Sequence, residues 1–162
     1  MTAPQETTGA RLSVFDRLID DKPEVKTEAP LSTWEEARRI KESLCRDLSA
    51  LLNTRRGEPE FDAEFTESSN SILTFGVSDF TARNLASRSD QESVRLSIER
   101  AIREFEPRLA RVSVTVRNSE SPMPILGFEI SAVLRLESGP EDVYFNAGLH
   151  RDTRRVNVRV DA

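Results

Sequence analysis

Reactive side chains are scarce in this chain. Its 162 residues hold one cysteine, one histidine, one tryptophan and one tyrosine, and each shortage removes a class of chemistry. Cys45 alone leaves no internal disulfide framework. Cys45 and His150 fall in separate predicted elements, His150 in a solvated turn. No metal-ligand cluster and no Ser-His or Cys-His nucleophile pair can be assembled from them. The six glycines are scattered, and none forms the GxGxxG or GxxxxGK spacing of a phosphate loop. No cofactor, no metal and no catalytic residue are therefore expected. Runs of about 18 apolar residues, long enough to span a bilayer, are missing, and Met1 to Ala10 lack the basic and apolar regions of a signal peptide. A cytoplasmic protein without direct membrane insertion is expected.

Lysine is scarce as well. Only Lys22, Lys26 and Lys41 stand among 23 basic residues, and the rest are arginine. Arginine presents a planar fork that pairs bidentately with carboxylates and suits protein interfaces; a high-GC coding bias would raise it too. A net charge of −5 and a pI of about 5.1 argue against nucleic acid as partner. Hydrophobic residues make up 37% and charged residues 31%, a balance expected of a small subunit that completes its burial against other proteins.

The pattern of what is present divides the chain at about residue 30. Residues 1–30 carry Pro4, Pro23 and Pro30 in a polar setting and read as a flexible arm. Leu12, Phe15, Leu18 and Ile19 follow helical spacing within it, with Ser13 and Asp16 as a capping box, which makes a short docking helix. It straps across its own domain or engages a partner. Residues 31–162 form the main domain. Ser32 or Thr33 caps a helix whose apolar stripe is Trp34, Ala37, Ile40, Leu44, Leu48, Leu51 and Leu52, ended by Gly57. A second helix is predicted from Ala63 to Phe75, burying Phe65, Ile72 and Leu73, with Gly76 as its stop. A third, capped by Ser89 and Glu92, keeps Val94, Ile98, Ala101, Ile102 and Phe105 on one face.

Proline then breaks the pattern. In Glu106-Pro107-Arg108 the ring removes a donor and pushes its predecessor out of the α region, so the helix stops at Phe105 or Glu106. Extended backbone there aims the Glu106 and Arg108 side chains the same way, as an exposed hook or as a helix cap. Beyond the corner the apolar period is two. Val112, Val114 and Val116; Phe128 to Leu136; Val143 to Leu149 after a Gly139-Pro140 turn; and Val156, Val158 and Val160 make four runs with short connections. They predict an antiparallel meander. One face takes the helices, and the other carries Arg111, Arg117, Glu129, Arg135, Arg155 and Arg159. The fold class is α+β, with N-terminal helices packed on one face of a roughly four-stranded antiparallel sheet.

Three motifs occur in order: Asn53-Thr54-Arg55-Arg56-Gly57 after Leu51-Leu52, Ser71-Ile72-Leu73-Thr74-Phe75-Gly76-Val77-Ser78-Asp79-Phe80, and Glu106-Pro107-Arg108. With Leu12 to Asp20 they resemble the TssE family of type VI secretion baseplate components, which is similar to a wedge protein of contractile phage tails. Ser78 stands where many relatives hold proline. The resemblance runs over roughly residues 11 to 160. It implies a fold similar to the handshake part of the sheath subunit, with other wedge subunits and contractile sheath subunits as partners. It makes Glu106, Pro107 and Arg108 the assembly motif, and Asn53, Thr54, Arg55, Gly76, Asp79, Arg155, Asn157 and Arg159 further partner-binding candidates. A wedge protein of a phage or extracellular injection particle, and a cytoplasmic adaptor of the same fold, are the alternatives.

An older label for that phage family is tail lysozyme, so a muramidase must be weighed. Hydrolysis of a glycosidic bond needs two carboxyls, one kept protonated, and a sugar platform. Glu60, Asp62, Glu64 and Glu67 are numerous but hydrated, and better suit a helix N-terminus. Glu106 beside Arg108 stays ionised. Assembly is the expected role, with the sheath joining along an open sheet edge, near Arg111 to Arg117 or Arg154 to Val160, where peptide groups are expected to be unpaired.

Overall fold

The computed structural model describes residues 12–19, 23–24, 32–57, 71–80, 84–117, 125–150, 153 and 155–161. The Glu60 to Glu67 carboxyls and most of the helix predicted before Phe75 lie outside these residues. Helix α1 spans Val14–Leu18, α2 Thr33–Asn53 and α3 Arg88–Phe105, with a 3-10 turn at Ile72–Thr74 between the last two. Strands β1 (Leu109–Arg117), β2 (Ile125–Leu136), β3 (Gly139–His150) and β4 (Val156–Val160) follow as an antiparallel sheet in the order β1-β2-β3-β4.

Local chemistry explains most boundaries. Ser13 with Asp16 and Ser32 with Glu35 are reciprocal capping boxes at α1 and α2. Helix α2 ends at Asn53 rather than at Gly57, because Thr54 is already extended at φ −84, ψ 130. Helix α3 starts two residues earlier than the Ser89 and Glu92 pattern suggests. Its cap is Ser87, with no side-chain capping bond, and Glu92 is engaged by Arg95 instead of Ser89. The β2–β3 turn is Glu137-Ser138, since Leu136 pairs with Gly139. Gly139 opens β3 at φ +126, a conformation that suits glycine alone. His150 is the last residue of β3, paired with Ile125, and not part of a turn.

The core lies between the sheet's inner face and the two long helices. Ile40, Leu44, Leu48 and Leu52 of α2 and Val94, Ile98 and Ile102 of α3 meet Val114, Phe128, Ile130, Leu134, Phe145 and Leu149. Val114, Ile130 and Phe145 lie opposite one another across three strands, so the alternation places one residue of each in the same layer. Burying each such side chain fully contributes about 1.5–3 kcal/mol. The expected outer face is observed, with Arg111, Arg117, Arg135, Arg155 and Arg159 all exposed.

Two stretches depart from the pattern. Trp34 is 69% exposed, lying under the Arg38 guanidinium instead of joining the α2 stripe. Ile72 and Leu73, expected inside, are 86% and 61% exposed. A tight 3-10 turn has three residues per turn and sends successive side chains in different directions; here Thr74 is the one that turns inward.

Candidate functional site: the proline corner and its neighbours

Helix α3 stops where proline requires, with Glu106 as its C-cap, its N–H donating to Ile102 O at 2.9 Å. The backbone then turns instead of extending: Leu109 N–H donates to Glu106 O at 3.1 Å, closing a four-residue turn with Pro107 and Arg108 at its centre. This turn, not a strand alternation, brings Glu106 and Arg108 together. Arg108 Nε donates to Glu106 Oε1 at 2.7 Å and Nη2 to Glu106 Oε2 at 2.5 Å. The same Nη2 donates to Asp47 Oδ2 of α2 at 2.6 Å.

The pair is therefore committed inward. Glu106 is only 5% exposed, and Arg108 bolts the corner to the middle of α2. Burial disfavours the Arg108 charge, but the hydrogen bonds and negative charges of Glu106 and Asp47 outweigh it, and its pKa is raised above the usual guanidinium range. The network continues outward. Ser43 Oγ donates to Asp16 Oδ2 of α1 at 2.6 Å, and Arg46 Nη2 donates to Asp16 Oδ1 at 2.6 Å. Burial pushes the Asp16 carboxyl up, yet hydrogen bonds from Ser13, Ser43 and Arg46 together hold it well below the usual carboxylate range.

Helix α1 is thus held to the domain by its polar side. Its apolar side faces away: Val14, Phe15, Leu18 and Ile19 are 53–77% exposed, while Leu12 packs against the core. A groove of about 420 Å³ runs from Ser13 past Leu51, Phe105 and Pro107 to Phe75. Ser13 caps α1 and Phe75 caps the turn carrying Ile72 and Leu73, so both elements border the groove.

The remaining motifs knit the scaffold. Asn53 clamps the first residue of β4 from both sides, Nδ2 donating to Val156 O at 2.8 Å and Oδ1 accepting from Val156 N–H at 2.9 Å. Thr54 closes α2 onto Ala50 O. Val77 N–H donates to Thr54 O at 3.0 Å and Arg56 N–H to Val77 O at 2.8 Å. Gly76 allows that approach: at φ +114, a Cβ there would lie 2.5 Å from Thr54 O. Arg55 stacks 4.1 Å over Phe80 and stands 3.9 Å from Asp79. Ser78 N–H donates to Ser97 Oγ at 3.1 Å, a bond that proline could not make.

The baseplate wedge protein gp25 family matches residues 38–138, more than half of the chain. The chain belongs to this family. No curated protein matches it. For a gp25-family chain, interaction with other baseplate components follows from membership. Among the described residues, no group of three or more His, Cys, Asp or Glu side chains is placed to hold a metal ion.

The candidates divide by position. Glu106, Arg108, Asn53, Thr54, Arg55 and Gly76 are engaged within the chain, and Pro107 lies on the groove's rim. Arg155, just before β4, and Asn157 and Arg159 on it are exposed. The sequence reading did not single out Ser43, Arg46 and Asp47, which lie on one turn of α2. Their clue was a serine and two opposite charges, Arg46 and Asp47, beside an otherwise apolar stripe.

Proposed function

We propose that this wedge protein is a non-catalytic structural subunit of a type VI secretion baseplate, joining other wedge subunits to the first ring of the contractile sheath at the cytoplasmic face of the envelope. Family membership supports the wedge role, and the ordered motifs support the type VI assignment. One observation carries the contact surface. Charges at the proline corner are neutralised within the chain, while the groove beside it and the apolar residues flanking it are exposed. Apolar patches rimmed by polar groups mark protein interfaces. This face is assigned to the other wedge subunits, which would fill the groove and cover Phe15 and Leu18.

The sheath is assigned to the β4 side of the sheet. Rungs from β3 to β4 include His150 N–H to Arg155 O and Tyr144 O from Asp161 N–H. With a two-residue period, Asn157 and Arg159 also bond inward, and Val156, Val158 and Val160 turn their peptide groups outward. Asn53 takes those of Val156 and Cys45 of α2 meets the backbone of Val160, so an added strand would pair at Val158 between them, with the alternate side chains of Arg155, Asn157 and Arg159 giving specificity.

Family membership fits a phage or injection-particle wedge equally, and co-purification from native cells separates the readings. Type VI sheath and wedge subunits are expected in the eluate; phage tail proteins would select the second reading, and a lone signalling protein would point to an adaptor. Purified protein is expected to release no muropeptides from peptidoglycan above a heat-killed control, and release would overturn the non-catalytic assignment.

A further inference from the structure

The other sheet edge, on β1, is closed by side chains. Val112 C=O accepts from Arg103 Nη2 at 2.7 Å and Nε at 3.2 Å. Val114 C=O accepts from Arg95 Nη1 at 3.0 Å, and Val114 N–H donates to Glu99 Oε2 at 3.2 Å. These peptide groups, expected to be unpaired, are all engaged by α3. Arg95, Glu99 and Arg103 repeat every four residues along that helix and bind one another: Arg95 Nη1 to Glu99 Oε2 at 2.7 Å, Arg103 Nη2 to Glu99 Oε1 at 2.8 Å. Glu92 holds Arg95 from its other side.

The covered segment explains why such a row is useful. Val112-Ser113-Val114-Thr115-Val116 is uncharged, without glycine or proline, and three of its five residues are β-branched valines. Short segments of that kind pair readily with copies of themselves. Two further devices stand beside it. The strand bulges between Ala110 and Ser113, with Arg111 in the left-handed region at φ 51, which twists an edge away from a flat partner. Arg111 and Arg117 also flank the segment symmetrically about Val114. An antiparallel pair of two such strands centred on Val114 would set Arg111 of one copy against Arg117 of the other, an opposition of like charge.

We propose that Arg95, Glu99 and Arg103 form a cover that keeps β1 from pairing with β1 of a second copy of this chain. The edge beneath is a latent strand-addition surface, and the ion row is what holds it shut. This inference stands apart from the assembly reading, since it concerns the free subunit.

The test replaces the row with apolar side chains of similar size, Arg95→Met, Glu99→Leu and Arg103→Met together, which leaves no buried charge unpaired, since the Glu92 carboxylate released from Arg95 is 55% exposed. Molecular mass by light scattering is measured over a hundred-fold concentration range, beside the unsubstituted protein. Self-association at a concentration at least ten-fold lower than for the unsubstituted chain is expected. Val116→Pro, added to the triple variant, removes an N–H from the outer edge and should reverse the effect. Masses unchanged from the unsubstituted protein would overturn the proposal. Association that survives Val116→Pro would also overturn it, by assigning the effect to the new apolar surface. If the triple variant does not fold, Arg103→Ala, at the exposed end of the row, uncovers Val112 alone; it must shift the same curve in the same direction, and no shift rejects the cover.

Discussion

The proline corner and helix α1 are neighbours joined by one hydrogen-bond network, yet they expose opposite kinds of group. At the corner the charged side chains are buried and neutralised: Glu106 is 5% exposed and Arg108 reaches two carboxylates. At α1 the apolar side chains are outside, with Phe15 and Leu18 75% and 77% exposed, while the acid Asp16 is turned inward. Sequence polarity therefore misleads about both. A charged triplet reads as surface and an apolar cluster as core, but a network that satisfies three carboxylates and two guanidiniums determines which side of each element points in. The corner is framework, and the side chains that α1 leaves exposed beside it are apolar.

The sharpest way to break this comparison is to cut the framework. Arg108→Ala leaves Glu106 buried without its partner, and removing one member of a buried pair costs about 3–5 kcal/mol. Urea unfolding of the isolated chain measures it. A loss below about 1 kcal/mol would return the corner to the class of exposed pairs and restore the hook. Gly76→Ala is expected next, at about 1–3 kcal/mol for a strained φ, because its methyl group would meet Thr54 O in the bridge that joins two motifs. Here the same unfolding curve decides, and an unchanged midpoint would mean that the Thr54–Val77 bridge is dispensable.

Much of this architecture was legible beforehand. The meander, its two faces, both helical stripes from Ile40 and Val94 onward, and the stop at Phe105 follow from periods of four and two and from one proline. Less legible was whatever depends on non-local hydrogen bonds. Nothing in the spacing of Glu106 and Arg108 names Asp47, which is 61 residues from Arg108. Asn53, a partner candidate by resemblance, gave no local sign of its clamp on Val156, 103 residues away. Ile72 and Leu73 were misplaced for a local reason, since two apolar residues before a phenylalanine fit a helix and a 3-10 turn equally well. The covered β1 edge was partly available, because Arg95, Glu99 and Arg103 repeat every four residues on α3.

A smaller effect should separate α1 from the rest. The Asp16 carboxyl has a folded pKa lowered below its unfolded value of about 3.9. A depressed carboxylate contributes stability that is present above the unfolded pKa and is lost as pH falls through the folded one. Docking of α1 is therefore expected to be constant at neutral pH and to weaken only on acidification below about pH 4. Asp16→Asn should loosen it at neutral pH and remove its dependence on acidification. Amide exchange of Val14 to Leu18 is the readout, because local opening is seen there with little change in global unfolding. Equal protection of these amides in the variant would mean that Leu12, rather than Asp16, holds the helix.

The smallest effect on stability should accompany the largest effect on assembly. Phe15→Ser with Leu18→Ser changes two side chains that lie mostly in water, so unfolding should move by no more than about 0.5 kcal/mol. If the apolar side of α1 is where another wedge subunit sits, the pair lies at the buried centre of that contact, and truncating such anchors costs about 2 kcal/mol or more of binding. Affinity capture of the tagged variant from native cells, with the unsubstituted chain in parallel, should then lose wedge subunits while the recovered protein still unfolds normally. Two outcomes separate the causes. Loss of capture together with loss of stability would make α1 part of the chain's own core, contrary to its exposure. Normal capture with normal stability would move the contact off α1, to the groove at Pro107 or to the turn of Ile72 and Leu73, where Leu73→Ser repeats the test on the opposite bank.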